Sequence, residues 1–166
     1  MANIEFDFHW EPGEGIATPE LRETMASLRI LVGGETVTRV DDGVSRSVRD
    51  VVRVPLYPLA EWIAANWFTL LFECPGPGRS GFDKRHLLSS GREGFAIPAL
   101  SIVPEGEWIN LSWRDGHVPH SDLCFISSGD ARIPREEVID GLTSFVASVV
   151  ARLQSVNIEA VSYTHL

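Results

Sequence analysis

Arg135-Glu136-Glu137-Val138-Ile139-Asp140-Gly141-Leu142-Thr143-Ser144-Phe145-Val146-Ala147-Ser148-Val149-Val150-Ala151-Arg152-Leu153-Gln154 is the stretch that decides the fold class. Val138, Ile139, Leu142, Phe145, Val146, Val149, Val150 and Leu153 recur at the three-and-four spacing of one helix face. Glu136, Glu137, Asp140, Ser144, Ser148 and Arg152 take the other side, and early acids with a late arginine suit the helix dipole. An amphipathic helix over about 135–154 is expected. Such a stripe needs a surface to cover, and the sequence before it supplies strands.

Residues 4–10 alternate, with Ile4, Phe6 and Phe8 on one face and Glu5, Asp7 and His9 on the other, the period of a strand with one wet side. Further strands are expected at 28–32 and 36–40, joined by Gly33-Gly34, a pair suited to the positive φ angles of a tight hairpin. The run 48–57 is expected to be an edge strand or to stop at Pro55. From Pro58 the spacing changes: Leu59, Trp62, Ile63, Trp67, Leu70 and Leu71 predict a helix over 58–73, buried on most sides. It should end at Cys74-Pro75-Gly76-Pro77-Gly78. A polar loop with one helical turn near 84–88 is expected next, then strands at 99–103, 108–113, 123–127 and 131–133. The fold class is therefore α+β: two mainly antiparallel β-meanders packed with a buried central helix and the C-terminal amphipathic helix.

The chain has 166 residues, 23 acidic and 14 basic, for a net charge of −9 with His neutral. Hydrophobic residues at 44% and charged residues at 22% fit a folded domain and exclude a disordered or fibrous class. The acid excess and scattered basic residues argue against nucleic acid as the main partner. No stretch reaches the roughly 18–20 apolar residues of a membrane span, and the acidic N-terminus lacks the layout of a secretory signal. A cytoplasmic location follows as the expectation, with Cys74 and Cys124 as reduced thiols.

The last six residues, Val161-Ser162-Tyr163-Thr164-His165-Leu166, spell one reading frame of a transposon mosaic end used in sequencing libraries. The expectation is a single domain over 1–160, the N-terminal fragment of a longer protein, followed by a non-native tail over 161–166.

Three groups of residues could carry chemistry or binding. His117, His120 and Cys124 are metal-ligand types within a short span, yet a zinc site needs three or four ligands, and the segment is also a turn where histidines are commonly just solvated. Glu61 and Asn66, with Arg49 from Arg46-Ser47-Val48-Arg49-Asp50, could face one pocket and hold a polar ligand. The structural alternative is favoured, in which Asn66 ties a neighbouring loop's backbone to the core and Glu61 is a surface charge, since buried polar networks usually specify packing. Trp108 and Trp113 could form an exposed aromatic pair that anchors a protein partner, or could be core. No nucleophile elbow, His-Glu-x-x-His, phosphate-binding loop or dinucleotide fingerprint is present, so no catalytic residue is assigned.

The run Val54-Pro55-Leu56-Tyr57-Pro58-Leu59-Ala60-Glu61-Trp62-Ile63-Ala64-Ala65-Asn66-Trp67 resembles the N-terminal region of bacterial proteins labelled ImmA/IrrE-type metallo-endopeptidases. Ser47-Val48-Arg49-Asp50 before it and Arg92-Glu93-Gly94-Phe95-Ala96-Ile97-Pro98 after it extend the resemblance over about 4–158. That family's zinc and catalytic glutamate sit in a His-Glu-x-x-His helix, which this sequence lacks, so none of its catalytic residues carries over. The resemblance implies a non-catalytic accessory domain, regulatory, sensing or substrate-presenting, with no cofactor in this fragment. Its partner would be a downstream peptidase domain of the same protein or a regulatory protein. The alternatives are a small metal-binding protein or enzyme using His117, His120 and Cys124, and a protein-interaction module.

Overall fold

The computed structural model describes residues 3–45, 47–74, 86–88, 96–119 and 121–156. In chain order the elements are β1 (Ile4–Trp10), α1 (Pro19–Glu23), β2 (Met25–Val32), β3 (Glu35–Thr36), β4 (Val40–Asp42), β5 (Ser47–Arg49), β6 (Val52–Pro55), α2 (Tyr57–Ala65), α3 (Trp67–Phe72), β7 (Leu87–Leu88), β8 (Ala99–Glu105), β9 (Trp108–Arg114), β10 (Gly116–His117), β11 (Leu123–Phe125), β12 (Gly129–Pro134) and α4 (Arg135–Ser155). The class is α+β with antiparallel pairing throughout the described sheets.

β2 is the central strand of the first sheet. It pairs with β1 from Ile4↔Val32 to Trp10↔Ala26 and, on its other edge, with β3 and then β6. Gly33 and Gly34 turn the hairpin at φ +59° and +83°, as their sequence predicts. β3 and β6 do not meet, and Thr38 fills the gap. Its buried hydroxyl accepts a hydrogen bond from the Ile30 amide at 3.1 Å and donates to the Asp50 carbonyl at 2.7 Å. One side chain thus stands in for a missing rung of the ladder.

Thr24 does similar service for α2, whose own N-cap residue Leu56 makes no side-chain cap. The Thr24 hydroxyl donates to the Glu20 carbonyl at 2.6 Å and accepts from the Tyr57 amide at 3.1 Å, satisfying a donor that a helix start leaves open. Pro58 lies in that first turn, where its missing N–H costs nothing.

The expected central helix over 58–73 is instead two helices. Asn66 leaves helical geometry at φ −109°, ψ 17°. Its side-chain amide donates to the Trp62 carbonyl at 2.8 Å, and its own carbonyl accepts from the Leu70 amide at 2.9 Å. The Trp62 carbonyl is shared with the Asn66 backbone amide, which also donates to it at 3.0 Å, and a second helix begins at Trp67. Nor is this unit buried on most sides, because Phe68 is 64% exposed and Phe72 43%.

The second expected meander also differs. β12, β9, β8 and β7 form one sheet, but β11 leaves it to pair with β4, giving a separate sheet in the order β10-β11-β4-β5. The strand expected over 36–40 is split between β3 and β4, and the run 48–57 between β5 and β6. Of the helical turn expected near 84–88, His86 has the geometry of a 3-10 turn, Leu87 and Leu88 form β7 instead, and 84 and 85 lie outside the described residues. Sequence reading anticipated neither α1 nor β10. The tail 161–166, and Arg92 to Phe95 of the resemblance, lie outside the described residues.

α4 closes the core. Val138, Leu142, Phe145, Val149 and Leu153 are buried, and Phe145 stacks on Phe6 of β1 with ring centroids 4.3 Å apart. An arginine fixes each end of the helix. Arg135 donates to the Leu71 carbonyl at 2.8 Å and to the Gly106 carbonyl, with its guanidinium over the Phe72 ring. Arg152 donates to the Glu23 carbonyl at 2.9 Å and lies over Trp10. Midway, Gly141 lets the helix settle against the strand: a Cβ there would collide with the Ile4 carbonyl oxygen and lie 2.8 Å from Ile4 Cγ2.

Gly141→Ala therefore sets two effects against each other. Helix propensity favours alanine by about 1 kcal/mol, while overpacking a fitted contact costs about 1–3 kcal/mol. The contact is with backbone, which cannot swing aside, so a lower denaturation midpoint in urea is expected. A midpoint equal to or above that of the unaltered chain would show that α4 does not approach β1 this closely.

Candidate functional site

The feature best suited to bind another molecule is the outer edge of β1. Asn3 accepts from the Gly33 amide and Glu11 donates to the Met25 carbonyl, each at 2.8 Å. In an antiparallel ladder alternate residues turn both backbone groups toward the neighbour, so Glu5, Asp7 and His9 also face β2. Ile4, Phe6, Phe8 and Trp10 then direct their amides and carbonyls outward. The near collision of the Ile4 carbonyl with position 141 of α4 fits this parity. Among the described residues no strand pairs with that edge.

Beside it runs a groove of about 610 Å³ between β1 and α4. Its floor is aromatic: Phe6 stacks on Phe145, and Phe8 meets Phe145 edge-on at 6.0 Å and Trp10 at 5.0 Å. Phe6 and Phe8 are only half-buried. Glu137, Asp140, Gly141, Ser144, Phe145 and Ser148 form the wall, one stripe of α4 at helical spacing. Small residues at 141, 144 and 148 leave the space open.

The rim is acidic. Glu137 and Asp140 flank the edge from α4, while Glu5 and Asp7 flank it from the opposite face of the sheet. Asp7 is bound to Arg29 at 2.7 Å. Glu5, Glu137 and Asp140 make no ion pair among the described residues. Among the described residues Glu137 Oε2 and Arg29 Nε, both at this groove, are buried without a hydrogen-bond partner.

The residues singled out from sequence lie elsewhere. Arg49, on exposed β5, reaches Asp42 at 4.0 Å. Glu61 is exposed on α2, and Asn66 spends its amide on Trp62. None of the three lines the groove or the hollow on the outer face of β8, β9 and β12. Trp108 is 40% exposed beneath the Arg132 guanidinium, but Trp113 is buried at 1%, its indole donating to Ser127 Oγ at 3.0 Å. The two tryptophans are thus no exposed pair. Gly129 makes room for Trp113, since a Cβ there would strike its ring.

His117 and Cys124 are cross-strand neighbours, with Asp41 next in the same row, while His120 lies outside the described residues. Among the described residues no three His, Cys, Asp or Glu side chains are arranged to hold a metal. Cys74 and Cys124 are free thiols. His86 escaped the sequence reading: it is 1% exposed, its Nδ1 donates to the Ile102 carbonyl at 3.0 Å, and its buried Nε2 has no partner among the described residues.

Comparison of the chain with family models, with curated proteins and with solved structures finds no match. Among the described residues no helix is long and apolar enough to cross a membrane.

Asp42, beside Arg49, has its carboxyl held below the ordinary aspartate value. The Val44 amide is the main cause and the Ser45 hydroxyl the next, each at 3.1 Å, with Arg49 a minor one; desolvation opposes them. The depressed value favours the charged form in the folded turn, so its contribution is present at neutral pH and is lost as pH falls through that value. In an NMR titration Ser45→Ala should raise the Asp42 midpoint more than Arg49→Ala does. The reverse order would make the ion pair, and not the turn, responsible.

Proposed function

We propose that this chain is a non-catalytic accessory domain that binds an extended polypeptide segment along the outer edge of β1, acting for a zinc-peptidase-like protein in a regulatory or substrate-presenting role. The free edge supports the docking part. An unpaired strand offers outward amides and carbonyls at every second residue, so a peptide in β conformation gains backbone hydrogen bonds without a special sequence. The trough beside α4 then receives alternate side chains. Catalysis in this proposal belongs to a His-Glu-x-x-His region outside this chain, as the resemblance implies, and the cytoplasm is the compartment that fits.

Docking is testable without knowing the natural partner. An array of random decapeptides should include members that bind the purified chain and slow amide exchange at Phe6 and Phe8. Ser148→Trp, which places a large ring in the trough from an exposed position, should abolish that protection. If no peptide slows those two amides, or if Ser148→Trp changes nothing, docking at β1 is wrong. The peptidase association has its own check in the uninterrupted gene. A reading frame that continues past residue 160 into a His-Glu-x-x-His segment is expected, and a genomic stop codon directly after Leu166 would remove that association while leaving docking untouched.

A further inference from the structure

We infer that the occupant of the β1 edge is a cationic segment of a partner protein, with Lys or Arg at alternate positions, which rests on the docking function proposed above. An added strand would hydrogen-bond to the outward groups of Phe6 and Phe8. Its residues would then alternate between two environments. Those on one face lie over the half-buried Phe6 and Phe8 and beneath Glu137 and Asp140 of α4. Those on the other face fall beside Glu5 and Asp7, in the closely spaced cross-strand positions where opposite charges attract.

Four carboxylates therefore surround the path of the peptide, against one guanidinium that is already bound to Asp7. Glu137 stands on that path half-buried, with no ion pair of its own among the described residues.

The same charges exclude a second copy of this chain as the occupant. Antiparallel pairing of β1 with its own counterpart would bring Glu5 and Asp7 of one copy alongside those of the other. Like charges opposed across strands are destabilising, and two chains of net charge −9 repel before they meet. An acidic or neutral strand lacks the attraction that a cationic one has at every second residue.

Three decapeptides of common apolar framework, carrying Lys, Gln or Glu at alternate positions, discriminate these occupants by fluorescence anisotropy with the purified chain. The Lys peptide should bind about tenfold tighter than the Gln peptide, the sum expected of a few partly exposed ion pairs, and the Glu peptide weakest. Because alternate residues share one face, the Lys side chains meet either Glu137 and Asp140 or Glu5 and Asp7; one of the two double variants, Glu137→Gln with Asp140→Asn or Glu5→Gln with Asp7→Asn, should remove most of that difference, and so should raised salt. A Lys peptide N-methylated at alternate amides cannot pair with a strand edge and should bind weakly. Equal binding of the Lys and Gln peptides would overturn the charge preference and leave docking standing. No binding by any of the three would count against docking itself. Undiminished binding of the N-methylated peptide, or of the Lys peptide to Ser148→Trp, would reduce the effect to nonspecific attraction and overturn the site.

Discussion

The position of α4 over β1 depends on a missing methyl group. Because Gly141 has no Cβ, the Ile4 carbonyl can come against the helix backbone, and from that contact the other distances follow. Phe145, one turn on, reaches stacking distance of Phe6. Leu142, Val149 and Leu153 enter the same core as Ala26, Leu28 and Ile30 of β2. Glycine within a helix is unfavourable by about 1 kcal/mol relative to alanine, so its presence in the middle of a 21-residue helix calls for a tertiary reason. The arginine clasps at Arg135 and Arg152 fix the ends of α4, and Gly141 fixes its depth.

What could be foreseen in this fold was local. The stripe of α4, the Gly33-Gly34 turn and the Pro58 start each depend on residues within a few positions of one another, and each is found where sequence places it. The departures are long-range or competitive. Nothing in 123–127 distinguishes a strand that stays beside β9 from one that pairs with β4, because both choices bury the same alternating residues. At the break, Asn66 leaves helical geometry with its side-chain amide joining its backbone amide on the Trp62 carbonyl, an arrangement that the apolar spacing of 58–73 does not register. The gap between β3 and β6 is tolerable because Thr38 is there, and a lone threonine in a β-rich run gives no sign of bridging two strands.

The candidate site was less legible for the same reason. Trp108 and Trp113 are separated by an odd number of positions, so in a continuous strand they must face opposite ways. Parity alone could have divided them into one exposed ring and one buried ring. Arg49, Glu61 and Asn66 are near in sequence but belong to a hairpin, a helix face and a helix break, which share no cavity among those at β1 or on the outer face of β8, β9 and β12. The edge of β1 was invisible from the opposite cause. Its alternation announces a strand with one wet face, but whether a strand lies at the margin of a sheet is a property of its neighbours.

Past Ile4, whose carbonyl α4 meets, the unpaired edge of β1 is a hazard as well as an opportunity, since any strand can pair with it. Proteins blunt such edges with proline, bulges, lysine or covering elements, yet β1 is seven regular residues without proline or lysine. What it has is carboxylate on both flanks, from Glu5 and Asp7 on one face and Glu137 and Asp140 on the other. Negative charge keeps identical chains apart as well as lysine would, because the repulsion depends on likeness and not on sign. The choice of sign matters for everything else that approaches. A lysine-guarded edge would repel basic segments, whereas this one repels its own kind and leaves them admissible. The acid excess that argued against nucleic acid thus has a local counterpart at β1, where it separates self from a partner of opposite charge.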